Sequence, residues 1–477
     1  MLFNILLVII ILFVLIILIR TLLFKAPEVK NKEIDEVKFD DEKAIKSLQE
    51  LVKCKTISYE DVKQEDNKEF EKLLNLLPKL YPYVCKKAKL KKFDGRGILF
   101  HIKGKDSNNP AIFMAHYDVV PVEEELWSKP AFKALIEDNI MWGRGTLDTK
   151  NTFNGVLFAA NTLLEKGFVP KHDVYLAFSG CEETFGVGAA EMVKYFKKNN
   201  IEPSFVIDEG GAVVEGVFPG VKEACGLVGV AEKGCMDLKL SIKSNGGHAS
   251  APNPNGSFAQ LAKACLDIES HPFKAHFNGP VAYMFDELGR RSSFLYRMIF
   301  ANLWCFKPIL DMICRKSGGQ LNALVRTTTA FTQARGSEAS NVIPPSAELI
   351  ANVRINPNDS VDGVVEYARK VIKNNNIEVS ALNGSEPSRV STIDSDGYRL
   401  IKEAIEDTWK GCVVAPYLMV QASDSRHYGE ISDKVYRFSA ADLTDEEIES
   451  IHGVDEHIRL DTIRRAVEFF IRVMREC

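Results

Sequence analysis

Residues 111–127 read AIFMAHYDVVPVEEELW. An apolar run ends in His116 and Asp118, and side chains two positions apart at a strand end point the same way because strand side chains alternate with period two. Outward from this stretch the same texture recurs. ILFHIKG (98–104), DVYLAFSG (173–180) and FVIDEGG (205–211) are short apolar runs, while TFNGVLFAANTLLEKG (152–167) and GAAEMVKYFKKN (188–199) are helical stretches set between them. Before them, DEKAIKSLQELVKCKTIS (41–58) places Ile45, Leu48, Leu51 and Val52 on one side of a helix that opens the body. Strands alternating with helices predict an α/β fold whose mainly parallel sheet is covered on both faces.

Around Glu232 the pattern changes. CMDLKLSIKS (235–244) and AELIANVRINP (347–357) alternate apolar with polar residues, and helical stretches follow near 258–268 and 361–372. Alternation indicates a sheet with one wet face, so residues 233–386 are expected to form a smaller α+β domain inserted into the first. The predicted organisation is an anchor over 1–24, a tether over 25–43, the large body over 44–232, the insertion over 233–386, and a return to the large body over 387–477. The chain's 477 residues exceed what one hydrophobic core usually organises.

The anchor rests on Ile5–Ile19, where every residue is Ile, Leu, Val or Phe. Extended to Phe24, such a helix would reach roughly 34 Å, enough to cross a hydrocarbon core of about 30 Å. No basic start or small-residue cleavage site accompanies it, so an uncleaved single-pass membrane anchor is expected. Arg20, Lys25, Lys30 and Lys32 follow the span and no Lys or Arg precedes it, which favours a cytoplasmic body. Ten cysteines without a CxxC pair argue for buried thiols over a zinc knuckle, and N-x-S triplets at Asn255, Asn358 and Asn383 carry little weight. The formal charge of −5 does not suggest a nucleic-acid surface.

The polar strand tips carry the chemistry. His116 and Asp118 end one strand, Asp148 follows in WGRGTLDTK, Glu182 and Glu183 end LAFSGCEE, and Asp208 and Glu209 end FVIDEGG. Taken singly, a strand-end carboxylate is a turn residue or helix cap. Ligands of open parallel sheets bind at the carboxyl ends of strands, so these residues are expected to converge, and such a cluster repels itself unless a cation is present. Histidine nitrogen and carboxylate oxygen suit zinc, with cobalt or manganese also fitting, and two ions bridged by one aspartate would neutralise the set.

HYDVVP (116–121), GRGTLDTK (143–150), CEETFG (181–186), DEGG (208–211), GGHASAPN (246–253), NVIPPSAELIANVRINP (341–357) and HGVDE (452–456) resemble, in order, the motifs of the co-catalytic zinc aminoacylase and carboxypeptidase family (peptidase family M20). The resemblance is nearest to its branch of carboxypeptidase S and N-fatty-acyl amino acid synthase/hydrolase. It implies that Asp148 bridges two zinc ions, that His116 binds one together with Asp208 or Glu209, and that Glu183 and His452 bind the other. It makes Glu182 the general base and Asp118 the partner that orients His116. His248 becomes a donor to the developing oxyanion, and Asn341 and Arg354 a clamp on the substrate carboxylate. Without the resemblance, Arg354 on an alternating strand reads as a solvated residue and His248 as a loop residue. His457 lies five residues after His452, but the resemblance puts the metal on His452, the histidine of HGVDE; His427 matches no metal position and reads as structural or as a neighbour of substrate. The resemblance implies a cis peptide after the bridging aspartate, although Thr149 and Asn151 stand where the family usually has Asp and Gly.

The activity expected from the resemblance is hydrolysis of an amide next to a free carboxylate, either a C-terminal peptide bond or an N-acyl amino acid. The aromatic segment RRSSFLYRMIFANLWCFKPILDM (290–312) reads as core or dimer contact, or alternatively as a wall for an acyl chain. A homodimer through the insertion follows by analogy alone. Two rival readings are a catalytically inactive, membrane-tethered metal- or peptide-binding protein and a biosynthetic deacylase. The residues His116, Asp148, Glu182, Glu183 and His452 speak against the first, since a binding module does not need the base.

Overall fold

A computed structural model of the chain describes residues 1–27, 33–216 and 218–477; Lys30 and Lys32 of the tether lie outside the described residues. The large sheet has eight strands in the order Lys89–Phe93, Gly97–Ile102, His172–Ser179, Asp106–His116, Phe205–Val214, Val435–Leu443, Cys225–Glu232 and Val413–Met419. The expected mainly parallel sheet is corrected to a mixed one. Asp106–His116 pairs in parallel with both of its neighbours, and Val435–Leu443 pairs in parallel with Phe205–Val214. The strands Lys89–Phe93 and Gly97–Ile102 are added antiparallel at one edge. At the other side, Cys225–Glu232 meets Val435–Leu443 antiparallel while pairing in parallel with Val413–Met419. The centre therefore keeps the parallel geometry that sends several strand ends to one edge.

Alternate residues of the central strands enter opposite cores. Phe113, Leu176 and Ile207 face a layer made by the helices Asp41–Val52, Lys150–Glu165, Asp396–Thr408 and Leu460–Met474. Ile112, Met114, Tyr175 and Val206 face the helix Gly188–Lys198. Lys150–Glu165 is buried on nearly every side because it lies between the sheet and Leu460–Met474, and Gly155 permits the approach: a Cβ there would stand 3.0 Å from the Phe470 ring.

The second sheet is antiparallel, in the order Thr328–Arg335, Ser346–Ile355, Gly234–Lys243 and Ile377–Ser385, with the helices Ser257–Ser270 and Val361–Ile372 packed on one face. Gly234–Lys243 alternates buried with partly exposed residues, the pattern of a sheet with one wet face. The span 233–386 is not all of one kind, however. The helices Pro280–Arg291, Phe294–Ala301, Leu303–Ser317 and Gly319–Val325 lie within it, and Val281, Met284, Phe285, Leu288 and Phe300 pack on Leu227, Val413, Ala415 and Leu418 of the large sheet. The helix Pro280–Arg291 thus covers two strands of the large sheet, and of the aromatic segment after it Phe300 joins that core while Leu295, Trp304 and Met312 stay exposed. The N-terminal helix Leu2–Leu23 is long and apolar enough to cross a membrane; a signal sequence near the N-terminus shares those properties.

Candidate metal centre

Five chain segments bring the candidate ligands to one edge of the large sheet. His116 ends its strand, Glu182 and Glu183 lie on the turn Glu182–Thr184 beyond the neighbouring strand, Glu209 lies within Phe205–Val214, and Asp148 precedes the helix Lys150–Glu165. His452 arrives from the loop after the helix Asp445–Ser450 with φ of +60°, a left-handed conformation uncommon outside glycine. The Asp148–Thr149 peptide bond is cis.

Asp148 faces both histidines, one with each oxygen: Oδ1 is 3.0 Å from His116 Nε2 and Oδ2 is 3.0 Å from His452 Nε2. Each histidine then meets a further carboxylate, His116 with Glu209 Oε1 at 3.2 Å and His452 with Glu183 Oε2 at 3.2 Å. His116 Nδ1 lies 3.1 Å from the backbone carbonyl of Asp118 and 3.4 Å from its carboxylate. A carbonyl only accepts, so Nδ1 carries a proton and Nε2 is the atom presented to the acidic residues. Two triads, His116–Asp148–Glu183 and His116–Glu182–Glu209, have donor atoms within 4.8 Å of one another. Asp208 is directed elsewhere, with its Oδ2 accepting the Ser425 backbone N–H at 3.0 Å. Adjacent strand residues point to opposite faces, so only one of Asp208 and Glu209 reaches His116.

The electrostatics show a surplus of buried acid. Burial pushes Glu182 well above the ordinary carboxylate value, and Asp424, Glu209 and Glu183 add to the shift against the pull of His116. Burial likewise raises Glu209 to about 8 and raises Glu183. Burial also acts to raise Asp148, but hydrogen bonds from both histidines outweigh it and hold the carboxyl low. His452 is raised to about 10 by its hydrogen bonds to Asp148 and Glu183. For His116, burial opposes the cation but is outweighed by Glu209, Asp118 and Asp148, which raise the ring well above the ordinary imidazole value. Glu183 Oε1 is buried without a hydrogen-bond partner, a costly placement for a carboxylate oxygen. Nitrogen and oxygen donors, excess negative charge and an oxygen in need of a partner all fit a divalent cation.

Three buried anchors hold these residues, and two of them go beyond the sequence reading. Asp118 accepts the backbone N–H groups of Glu182 and Glu183 at 3.1 Å each and the Ser58 hydroxyl at 2.6 Å, tying the turn to the strand end. Glu456, the last residue of HGVDE, pairs with Arg144 at 2.7 Å and accepts the N–H groups of Gly145, Leu147 and Asp148. Arg144 also donates to the Gly453 carbonyl, so this one pair joins the Asp148 loop to the His452 loop. Behind the cluster, Glu232 binds Arg437 at 2.7 Å and the Ser423 N–H at 2.6 Å, while Asp424 accepts the Ser179 hydroxyl. The motif that contains Glu456 was visible in the sequence; Glu232 and Asp424 stood in no recognisable pattern.

The other predicted residues stand apart. His248 is exposed and pairs in register with Val342, next to Asn341, whose carbonyl accepts the Ala249 N–H at 3.0 Å. Arg354 Nε donates to Asn352 Oδ1 at 3.2 Å. Among the described residues, no hydrogen bond joins His248, Asn341 or Arg354 to the carboxylate cluster. His457 is buried, with its ring 4.5 Å from that of Trp142, and burial lowers His427 to about 4.

Residues 112–476 match Peptidase family M20/M25/M40. The chain is 35% identical over 439 residues to the N-fatty-acyl-amino acid synthase/hydrolase PM20D1 of Xenopus tropicalis, covering 90% of this chain and 85% of that protein. It is 34% identical over 442 residues to the probable carboxypeptidase S-like 2 of Dictyostelium discoideum, with the same coverage of 90% and 85%. The M20 family metallo-carboxypeptidase Sso-CP2 of Sulfolobus solfataricus shares the fold, with a TM-score of 0.63, 20% identity, and coverage of 91% of this chain and 98% of that one. The chain belongs to peptidase family M20/M25/M40, a family of metal-dependent hydrolytic enzymes.

Proposed function

We propose that this chain hydrolyses an amide bond adjacent to a free carboxylate, in an N-acyl amino acid or at a peptide C-terminus, using two zinc ions. The observation that carries the reading is Asp148, whose two oxygens each meet a different histidine at 3.0 Å while each histidine keeps its own second carboxylate. That arrangement suits two cations sharing one bridging aspartate. His116 and Glu209 would hold one ion, and His452 and Glu183 the other. Bound zinc would supply Lewis-acid activation of water at neutral pH and polarise the scissile carbonyl.

Glu182 has the environment of a proton carrier. It is buried beside the cluster, its backbone N–H is fixed by Asp118, and burial favours its neutral form. It would accept a proton from the attacking water and deliver it to the leaving nitrogen, two steps for one carboxylate. His248, Asn341 and Arg354 are assigned to the substrate's oxyanion and carboxylate, Arg354 through its planar fork. They sit on the second sheet and its loops, so this part of the reading requires that sheet, in this chain or in a second copy, to close on the bound substrate. The anchor and the likeness to an N-fatty-acyl-amino acid enzyme favour a lipid-bearing acyl group.

The test measures release of free amino acid by the full chain from N-oleoyl-phenylalanine and from benzyloxycarbonyl-Gly-Leu, with zinc, with chelator, and with Glu182→Gln. Faster zinc-dependent cleavage of the oleoyl substrate supports the acyl reading, and faster cleavage of the peptide makes the chain a carboxypeptidase. Bound zinc with no cleavage of either would refute the proposal and restore the inactive binding protein.

A further inference from the structure

The N-terminal helix is packed into the rest of the molecule at one point. Arg20 donates from Nε and Nη2 to the Ala301 carbonyl at 3.2 and 3.0 Å. Asn302, fully buried, directs Nδ2 to the Ile17 carbonyl at 3.2 Å and to Thr21 Oγ1 at 3.3 Å. One residue pair further along, the Trp304 ring meets Phe13 edge-on at 5.6 Å. Phe24 lies under Arg290 and joins the core formed by Phe285, Leu288 and Phe300. A removable signal sequence has no use for such contacts, and its loss would take two of the three acceptors from the Asn302 amide, leaving the Met298 carbonyl at 2.9 Å.

These contacts place the junction of the helices Phe294–Ala301 and Leu303–Ser317 well up the apolar helix. Phe13 precedes Phe24 by eleven residues, roughly 16 Å of helix, about half of a hydrocarbon core about 30 Å thick. The two helices leave large apolar side chains uncovered: Leu295 is 62% exposed, Trp304 52%, Ile309 47% and Met312 61%. Between residues 290 and 316 there are six Lys or Arg against one carboxylate, in a chain whose net charge is −5. Basic residues cluster at the helix ends, with Arg290 and Arg291 ending one helix and Arg315 and Lys316 in the last turn of another; Arg290 is paired with Asp286 at 2.9 Å and Arg315 with Asp311 at 3.0 Å, while Arg291 and Lys316 carry further charge. An apolar face, basic residues at its helix ends, and direct continuity with an apolar helix of spanning length are the attributes of an element that lies in a membrane interface.

We propose that the helices Phe294–Ala301 and Leu303–Ser317 are embedded in one leaflet of an anionic lipid bilayer beside a retained helix Leu2–Leu23. The segment then has two faces: Phe300 and Cys314 join it to the large body, and Trp304, Ile309 and Met312 enter lipid. The body is held against the bilayer at a fixed orientation instead of hanging from a loose tether. The proposal is independent of the reaction assigned above, and its test does not read activity.

The test reconstitutes the full chain in phosphatidylcholine/phosphatidylserine vesicles and compares it with Trp304→Phe, so that the difference between their emissions reports Trp304 alone. Intact mass first establishes the N-terminus, and circular dichroism establishes that the variant is folded. The expected result is an unprocessed N-terminus, loss of most Trp304 emission to phosphatidylcholine brominated on its acyl chains, and little loss to aqueous iodide. In parallel, Arg315→Glu/Lys316→Glu should weaken bromolipid quenching more in phosphatidylserine vesicles than in neutral ones. Iodide quenching without bromolipid quenching would overturn the proposal, as would an N-terminus cleaved beyond Leu23. Protection from both quenchers together with a dimer in sedimentation would assign the face to a second copy of the chain and overturn it equally.

Discussion

Glu182 and Glu183 are neighbours with different surroundings. Glu183 Oε2 meets His452, whereas Glu182 is set against Asp424, Glu209 and the His116 ring, and their backbone N–H groups share Asp118 as acceptor. Glu182→Gln is expected to lower turnover by about 10²–10⁴-fold while leaving bound zinc unchanged by elemental analysis. Glu183→Gln is expected to lose zinc as well as activity. If Glu182→Gln released an ion instead, Glu182 would be a ligand, in keeping with the triad it forms with His116 and Glu209. At this scale much of the site was legible in the sequence, because residue types at strand ends are local information. The choice between Asp208 and Glu209 was not, since it depends on which face of the strand meets His116, and the motif is compatible with either.

At the scale of elements, the loops that carry Asp148 and His452 come from distant parts of the chain and are joined by one buried ion pair, Arg144–Glu456, with side chains 3% and 0% exposed. Glu456→Gln leaves the Arg144 cation without its counter-charge and is expected to destabilise the fold by about 3–5 kcal/mol, read from chemical denaturation midpoints at constant slope. It should also weaken zinc binding, because the N–H of Asp148 loses a charged acceptor. An unchanged midpoint would mean that the two loops are held by other contacts. Many helices and strands were readable from apolar spacing, but the helices Asn67–Leu80, Pro280–Arg291 and Leu303–Ser317 and the strands Lys89–Phe93 and Thr328–Arg335 were not identified. The strand Cys225–Glu232 was not identified, since a short run buried on both faces carries no periodic signal of its own.

At the scale of the whole molecule, Lys233 marks the point where the chain leaves the large sheet for the second one. Its ammonium is buried and donates to the carbonyls of Ala323 and Arg326, and burial, reinforced by Arg354, lowers it to about 7. The unfolded chain keeps the ordinary value of 10.5 and so holds more protons than the native state between about pH 7 and that value; stability should therefore rise with pH across the window. Lys233→Met removes this contribution, so the Tm of the parent relative to the variant should increase from about pH 7 to about pH 10; a constant difference would show that Lys233 titrates normally. Zinc at about 100 times its Kd should add about 2.7 kcal/mol to the stability of the whole chain, seen as a higher Tm that chelator reverses, and no shift would argue against a resident metal. By itself the sequence determined the α/β class, an apolar N-terminal helix and the acidic strand tips, because apolar period, run length and residue type are properties of neighbouring residues. Tertiary structure alone decided that the sheet is mixed, that Glu209 faces His116, that Glu232 and Glu456 support the centre, and that the helix Pro280–Arg291 covers the large sheet while the aromatic segment after it meets the N-terminal helix. Strand direction, side-chain convergence and the covering of an exposed sheet face are settled by contacts between residues hundreds of positions apart, and no local pattern encodes them.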